Sequence, residues 1–196
     1  MNLVLIGPQG SGKDTQGHLL EEKLKIPLLS IGQYMREAVA SNSLLGNQVD
    51  QYIKDGNLVP DEICDSILRE RLNKEDCKNG YILDGSPRTG PQAILLDYNL
   101  WGKNQKIDRV ILLTITDEEI IKRLKGRAEE ALKKGEKPRE DDLNEHAIKR
   151  RIINYKNNIE VIRMYYEMKG LLLEVDAMPS IEDIHLDIMK SLNDKS

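Results

Sequence analysis

The stretch Leu3-Val-Leu-Ile-Gly-Pro-Gln-Gly-Ser-Gly-Lys-Asp-Thr-Gln16 decides the fold. Four apolar residues lead into a turn with three glycines, and the residues after it suit the first turn of a helix. Gly7, Gly10 and Gly12 let backbone amides converge on an anion with no Cβ in the way, and Lys13 adds a movable cation where polyphosphate oxygens would lie. Gly10, Ser11, Gly12, Lys13, Asp14 and Thr15 are the candidate phosphate-binding residues. The general form of this loop puts Ser or Thr directly after the lysine; here Asp14 intervenes and the hydroxyl comes at Thr15. An acid beside phosphates requires that it point away from them, into solvent or toward a basic partner.

Short apolar runs recur outward from this loop, at Leu3 to Ile6, Ile26 to Leu29, Tyr81 to Leu83, Val110 to Ile115 and Leu171 to Val175. Their apolarity is continuous rather than alternating, as parallel strands covered on both faces require. Helical signals lie between them. Thr116 with Glu119, and Ser180 with Asp183, have the spacing of capping boxes, and Ile181, Ile184, Ile188 and Leu192 form an apolar stripe. The expected fold is α/β, a five-stranded parallel sheet with helices on both faces and the site at the carboxyl ends of the strands. Residues 30–59 hold a helical pattern with no strand, and residues 128–138, AEEALKKGEKP, are charged and poor in bulky apolar groups; both read as insertions at the sheet's edge.

Bulk properties bound the function. The chain has 196 residues, 39% of them hydrophobic, enough for one sizeable core. A net charge of -4 argues against a broad nucleic-acid surface, so a polyanion site must be a local cluster of Lys and Arg. Cys64 and Cys77 are too few for a zinc cluster or a disulfide framework, and fit a reducing cytoplasm. The apolar start is stopped by Gly7 and Pro8 and lacks a basic leader, so neither a signal peptide nor a membrane span is expected. His18, His146 and His185 have no metal or triad spacing. Trp101 stands alone, and Met164, Met168 and Met189 fall on helical patterns as core fillers.

Further motifs follow in order: Ser30-Ile-Gly-Gln-Tyr-Met-Arg36, Gly56-Asn-Leu-Val-Pro-Asp61, YILDGSPRTGPQ over residues 81–92, Arg123 and Arg127 four apart on one helical face, Arg139-Glu-Asp-Asp142, and Arg150-Arg151. With GPQGSGKDTQ, these resemble the signatures of nucleoside monophosphate kinases of the adenylate kinase type from Leu3 to about Ile188. The resemblance implies a P-loop core formed by residues 1–29, 60–127 and 140–196, an acceptor-binding insertion at 30–59 and a short lid at 128–139. It implies reversible phosphoryl transfer, MgATP plus AMP giving two ADP, by a cytoplasmic monomer with no nucleic-acid or membrane partner. Lys13, Arg88, Arg123, Arg139 and Arg151 would surround the moving group, and Arg127 and Pro179 would complete the ATP site. Ile31, Arg36, Asn57, Leu58, Val59, Gly85, Arg88, Gln92, Arg139 and Arg151 would form the AMP site, with Gln92 reading the adenine edge. Asp84 would orient Mg2+ through water, and no structural zinc is implied.

The chain departs from the family pattern at Gln9, Asp14, Ile31, Gln33 and Ser86, and Pro179 stands where compact relatives often have Gly. Either Arg150 or Arg151 is the site arginine; the spacing to Tyr155 favours Arg151. A UMP/CMP kinase of the same fold and a nucleotide-binding module without turnover are the alternatives. Gln92, where pyrimidine kinases tend to have Asn, favours AMP.

Overall fold

All five apolar runs become strands. The computed structural model describes residues 1–193. In chain order the elements are β1 (Asn2–Ile6), α1 (Lys13–Leu24), β2 (Leu28–Ser30), α2 (Ile31–Ala40), α3 (Leu44–Lys54), α4 (Asp61–Leu72), a 3-10 turn (Glu75–Cys77), β3 (Tyr81–Asp84), α5 (Gly90–Trp101), β4 (Arg109–Thr114), α6 (Asp117–Lys133), α7 (Glu140–Leu143), α8 (Glu145–Met168), β5 (Leu172–Asp176) and α9 (Ile181–Asn193). The strands pair in the order β2-β3-β1-β4-β5, and every pairing is parallel. β1 sits at the centre, with β3 on one side and β4 on the other. The loop after β1 therefore opens at the topological switch point, where parallel sheets form their ligand crevice.

Continuous apolarity is explained by two cores. Val4 and Ile6 of β1 point to one face, packed with residues of α2 to α5 and α8, whereas Leu3 and Leu5 point to the other, beneath α1 and α9. The Ile184, Ile188 and Leu192 stripe of α9 is buried in the second core. Both predicted caps form. Thr116 Oγ1 accepts from the Glu119 amide at 3.3 Å, and Ser180 Oγ accepts from the Asp183 amide at 3.2 Å while donating to its carboxylate at 2.7 Å.

One sequence expectation needs correction, and one segment takes a definite form. The first part of the 128–138 insertion is helical, because α6 runs through it to Lys133. Ala128 is buried and continues the inner row begun by Ile120 and Leu124, so the charges at 129, 130 and 133 are the outer face of a helix. Met164 and Met168 are not core: both are exposed, because α8 buries the opposite row of Ile148, Ile152, Ile162 and Tyr166. Trp101 is exposed at the end of α5, and both cysteines are free and buried. Among the described residues no helix is long and apolar enough to cross a membrane.

Candidate active site

The loop after β1 returns on itself through Gly12, whose φ of 90° lies in the left-handed region, directly before the first residue of α1. The amides of the first helical turn thus face the crevice. Lys13 folds back over the loop, with Nζ donating to the carbonyls of Gly7 at 2.8 Å and Pro8 at 2.7 Å. Burial pushes its ammonium down to about 8; Asp84 opposes the fall, and Arg88, Arg151 and Arg127 add to it. Asp14 and Thr15 lie exposed on the same helical turn.

Asp84 ends β3 and is the register partner of Ser30 at the end of β2. Ser30 Oγ donates to Asp84 Oδ2 at 3.1 Å, while Asp84 Oδ1 is buried with no hydrogen-bond partner. A buried carboxylate oxygen carrying a free lone pair beside a phosphate cradle suits a hydrated magnesium ion. Among the described residues no group of three His, Cys, Asp or Glu side chains converges on a metal.

A cavity of about 620 Å³ opens here, and Lys13, Arg36, Arg88, Arg123, Arg127, Arg139 and Arg151 all line it. Such crowding has to be held in place. Arg127 forms a fork on Asp142, with Nε and Nη2 each within 2.8 Å of carboxylate oxygens, and Arg151 meets Asp141 at 2.7 Å. Both aspartates are buried. Burial lowers Arg151 below the usual guanidinium value against the pull of Asp141 and Asp142, and it brings Arg36 to about 10, with Arg139 adding to the fall. Arg88 is exposed, its Nε donating to the Gly85 carbonyl at 2.8 Å. Arg123 reaches toward the other end of the site, donating to Glu119 at 3.0 Å and to the Ala177 carbonyl at 2.8 Å, beside Pro179.

A family model for adenylate kinase matches residues 5–171. The chain belongs to the adenylate kinase family. It is 40% identical over 192 residues to the adenylate kinases of Brucella ovis, Brucella melitensis and Brucella abortus, covering 98% of each chain.

Most of the adenylate kinase signatures read from the sequence meet in this cavity, including Gly10 to Thr15, Asn57 to Val59, Gly85 and Pro179. Two expected acceptor residues do not line it. Ile31 is buried in the first core, because as the first residue of α2 it packs on the sheet. Gln92 is buried with its carboxamide bonded to Asp61 and to the Arg88 amide. Of the two adjacent arginines, Arg151 faces the cavity, and Arg150 lies exposed with Nη1 3.3 Å from Asn57 Oδ1. Ser86 lines the cavity, whereas Gln33 bonds Glu37 on the surface of α2.

The supporting residues stood within motifs already quoted, but their role in holding the site was not read. Asp141 and Asp142, which grip the arginines, carried a signal in the doubled acid beside Arg139. Ser30 and Asp61 stood in quoted motifs, but their partners Asp84 and Gln92 reach them only through the fold, whereas Glu119 pairs locally with Arg123 four residues on.

Proposed function

We propose that this chain is a working adenylate kinase that transfers the terminal phosphoryl group of MgATP to AMP, reversibly. The observation that carries this is the convergence of Lys13 and six arginines on one cavity at the carboxyl end of a parallel sheet. Each terminal phosphate bears about -1.5 to -2 charges, so bringing donor and acceptor together sets like charges face to face. Phosphoryl transfer asks the protein for in-line positioning and charge stabilisation rather than for a nucleophile.

The roles divide by location. The 7–12 loop and Lys13 would hold the donor phosphates, and Thr15 and Asp84 would hold the hydrated Mg2+, Asp84 through water. When bound, that ion neutralises charge on the donor's terminal oxygens. Arg36 and Arg88 would take the acceptor phosphate, while Arg127, Arg139 and Arg151 would close over the transferred group. Arg123, tied to the Ala177 carbonyl, is suited to the nucleoside end of the donor. Residues 30–59 would act as the acceptor-binding insertion and residues 128–139 as a lid whose closure keeps out water that would otherwise hydrolyse ATP. The overall acidic charge fits nucleotide partners and not nucleic acid, and we take the protein to be a cytoplasmic monomer.

A coupled assay tests the reading. AMP-dependent ADP formation, with AMP preferred severalfold over UMP and CMP, is expected; folded protein that binds ATP but forms no ADP, or that prefers a pyrimidine acceptor, overturns it.

A further inference from the structure

We propose that Asp61 is a specificity-determining positioning residue: it pins the carboxamide of Gln92 in one orientation and so lets the acceptor site tell adenine from a 6-oxopurine. This rests on the reading of Gln92 as the residue that meets the acceptor base.

Four contacts make the pin. Gln92 Nε2 donates to Asp61 Oδ1 at 2.6 Å, and the Arg88 backbone amide donates to Gln92 Oε1 at 2.7 Å. Thr89 Oγ1 donates to the other carboxylate oxygen of Asp61 at 3.1 Å and accepts from the Gln92 amide at 3.2 Å, capping α5. The carboxylate is thus fixed at both oxygens, and Gln92 is 6% exposed.

Orientation follows from donor and acceptor capacity. A carboxylate only accepts and a backbone amide only donates, so the nitrogen of Gln92 must face Asp61 and its oxygen must face Arg88. Turning the amide over would replace both hydrogen bonds with like-to-like contacts inside the protein, leaving buried groups unsatisfied. One N–H and one oxygen lone pair remain for a base, always in the same order. Adenine presents an amino donor beside a ring-nitrogen acceptor, and a 6-oxopurine presents the reverse, a carbonyl acceptor beside a ring N–H. A freely turning carboxamide serves either edge; a pinned one serves only adenine. Asp61 is well placed for this because it opens α4 two residues after Val59, the last of the Asn57 to Val59 stretch that lines the cavity.

The test compares AMP with IMP as acceptor in the wild type, Asp61→Asn and Gln92→Ala. The carboxamide introduced by D61N offers either a donor or an acceptor, which removes one of the two contacts that set the orientation of Gln92 and leaves only the Arg88 amide to oppose its turning. The ratio of kcat/KM for AMP over IMP should fall at least about tenfold in D61N, through a gain with IMP and not only a loss with AMP. Simple structural damage lowers both acceptors together, and an unchanged ratio overturns the proposal. If Q92A keeps the wild-type ratio, the base-reading role of Gln92 itself is wrong; if Q92A loses discrimination and D61N retains it, only the pin is wrong. Should circular dichroism find D61N unfolded, Asp61→Ser, whose hydroxyl also donates or accepts, gives the same readout.

Discussion

Lys13 is held at about 8 by burial among cations, and the sign of the effect is fixed. Between about pH 8 and 10.5 the unfolded chain still carries a proton that the folded chain has released, so this group's contribution to stability rises with pH across that window. Bound phosphate reverses the balance by favouring the ammonium. ATP binding near pH 8 should therefore take up about half a proton, visible as a dependence of calorimetric enthalpy on the ionisation enthalpy of the buffer. No uptake between pH 8 and 9 sinks the idea. Arg88 offers a cleaner deletion, since it is exposed and held by one hydrogen bond to Gly85. Arg88→Ala should unfold within about 0.5 kcal/mol of the parent, while turnover falls by about a thousandfold. A normal rate in R88A would remove that arginine from the mechanism.

Elements were legible wherever local pattern and burial agree. β1, β3 and β4 announced themselves because a strand covered on both faces has to be apolar along its length, while β2 and β5 at the sheet's edges are only partly buried. Leu5→Ala should accordingly cost about 2–5 kcal/mol in urea unfolding, as Leu5 is 1% exposed. Helices were harder to read. The row Val161, Met164 and Met168 has core-like spacing, yet all three residues are exposed while the row through Ile162 and Tyr166 is inside. Two apolar rows on one helix leave periodicity unable to choose. Met168→Ala should change stability by less than about 0.5 kcal/mol, and a loss comparable to that of L5A would mean this face is covered in solution. Residues 128–133 gave no clear helical signal for the opposite reason, since their inner row is carried by a small alanine. At the site, glycines, lysine and arginines were visible because binding polyanions demands those residue types. Asp141 and Asp142 stood in a quoted motif, but which arginine each holds was not legible, because Arg127 and Arg151 reach them from α6 and α8 only through the fold.

Across the whole molecule, the segment 30–59 meets α8 through a contact that tolerates no side chain. Gly56 has φ 69°, and a Cβ there would lie 2.5 Å from the Ala147 carbonyl oxygen. Asn154 Nδ2 donates to the Gly56 carbonyl at 3.1 Å across the same seam. Gly56→Val should force the two apart, raising KM for AMP about tenfold or more while ATP binding by the free protein changes less. Equal loss for both nucleotides would mean the seam supports the fold rather than the acceptor site.

Helix α8 touches several parts of the site. Its 24 residues run for about 36 Å. Near its start the Ile148 carbonyl lies 3.5 Å from Gln9 of the glycine loop; farther along, Arg151 grips Asp141, Asn154 holds Gly56, and Tyr165 donates to Asp97 of α5 at 2.8 Å. The contacts with Gln9, Asp141 and Gly56 all fall within the first three turns of α8, so one short stretch of helix answers at once to the glycine loop, to the acids that hold the arginines and to the acceptor insertion.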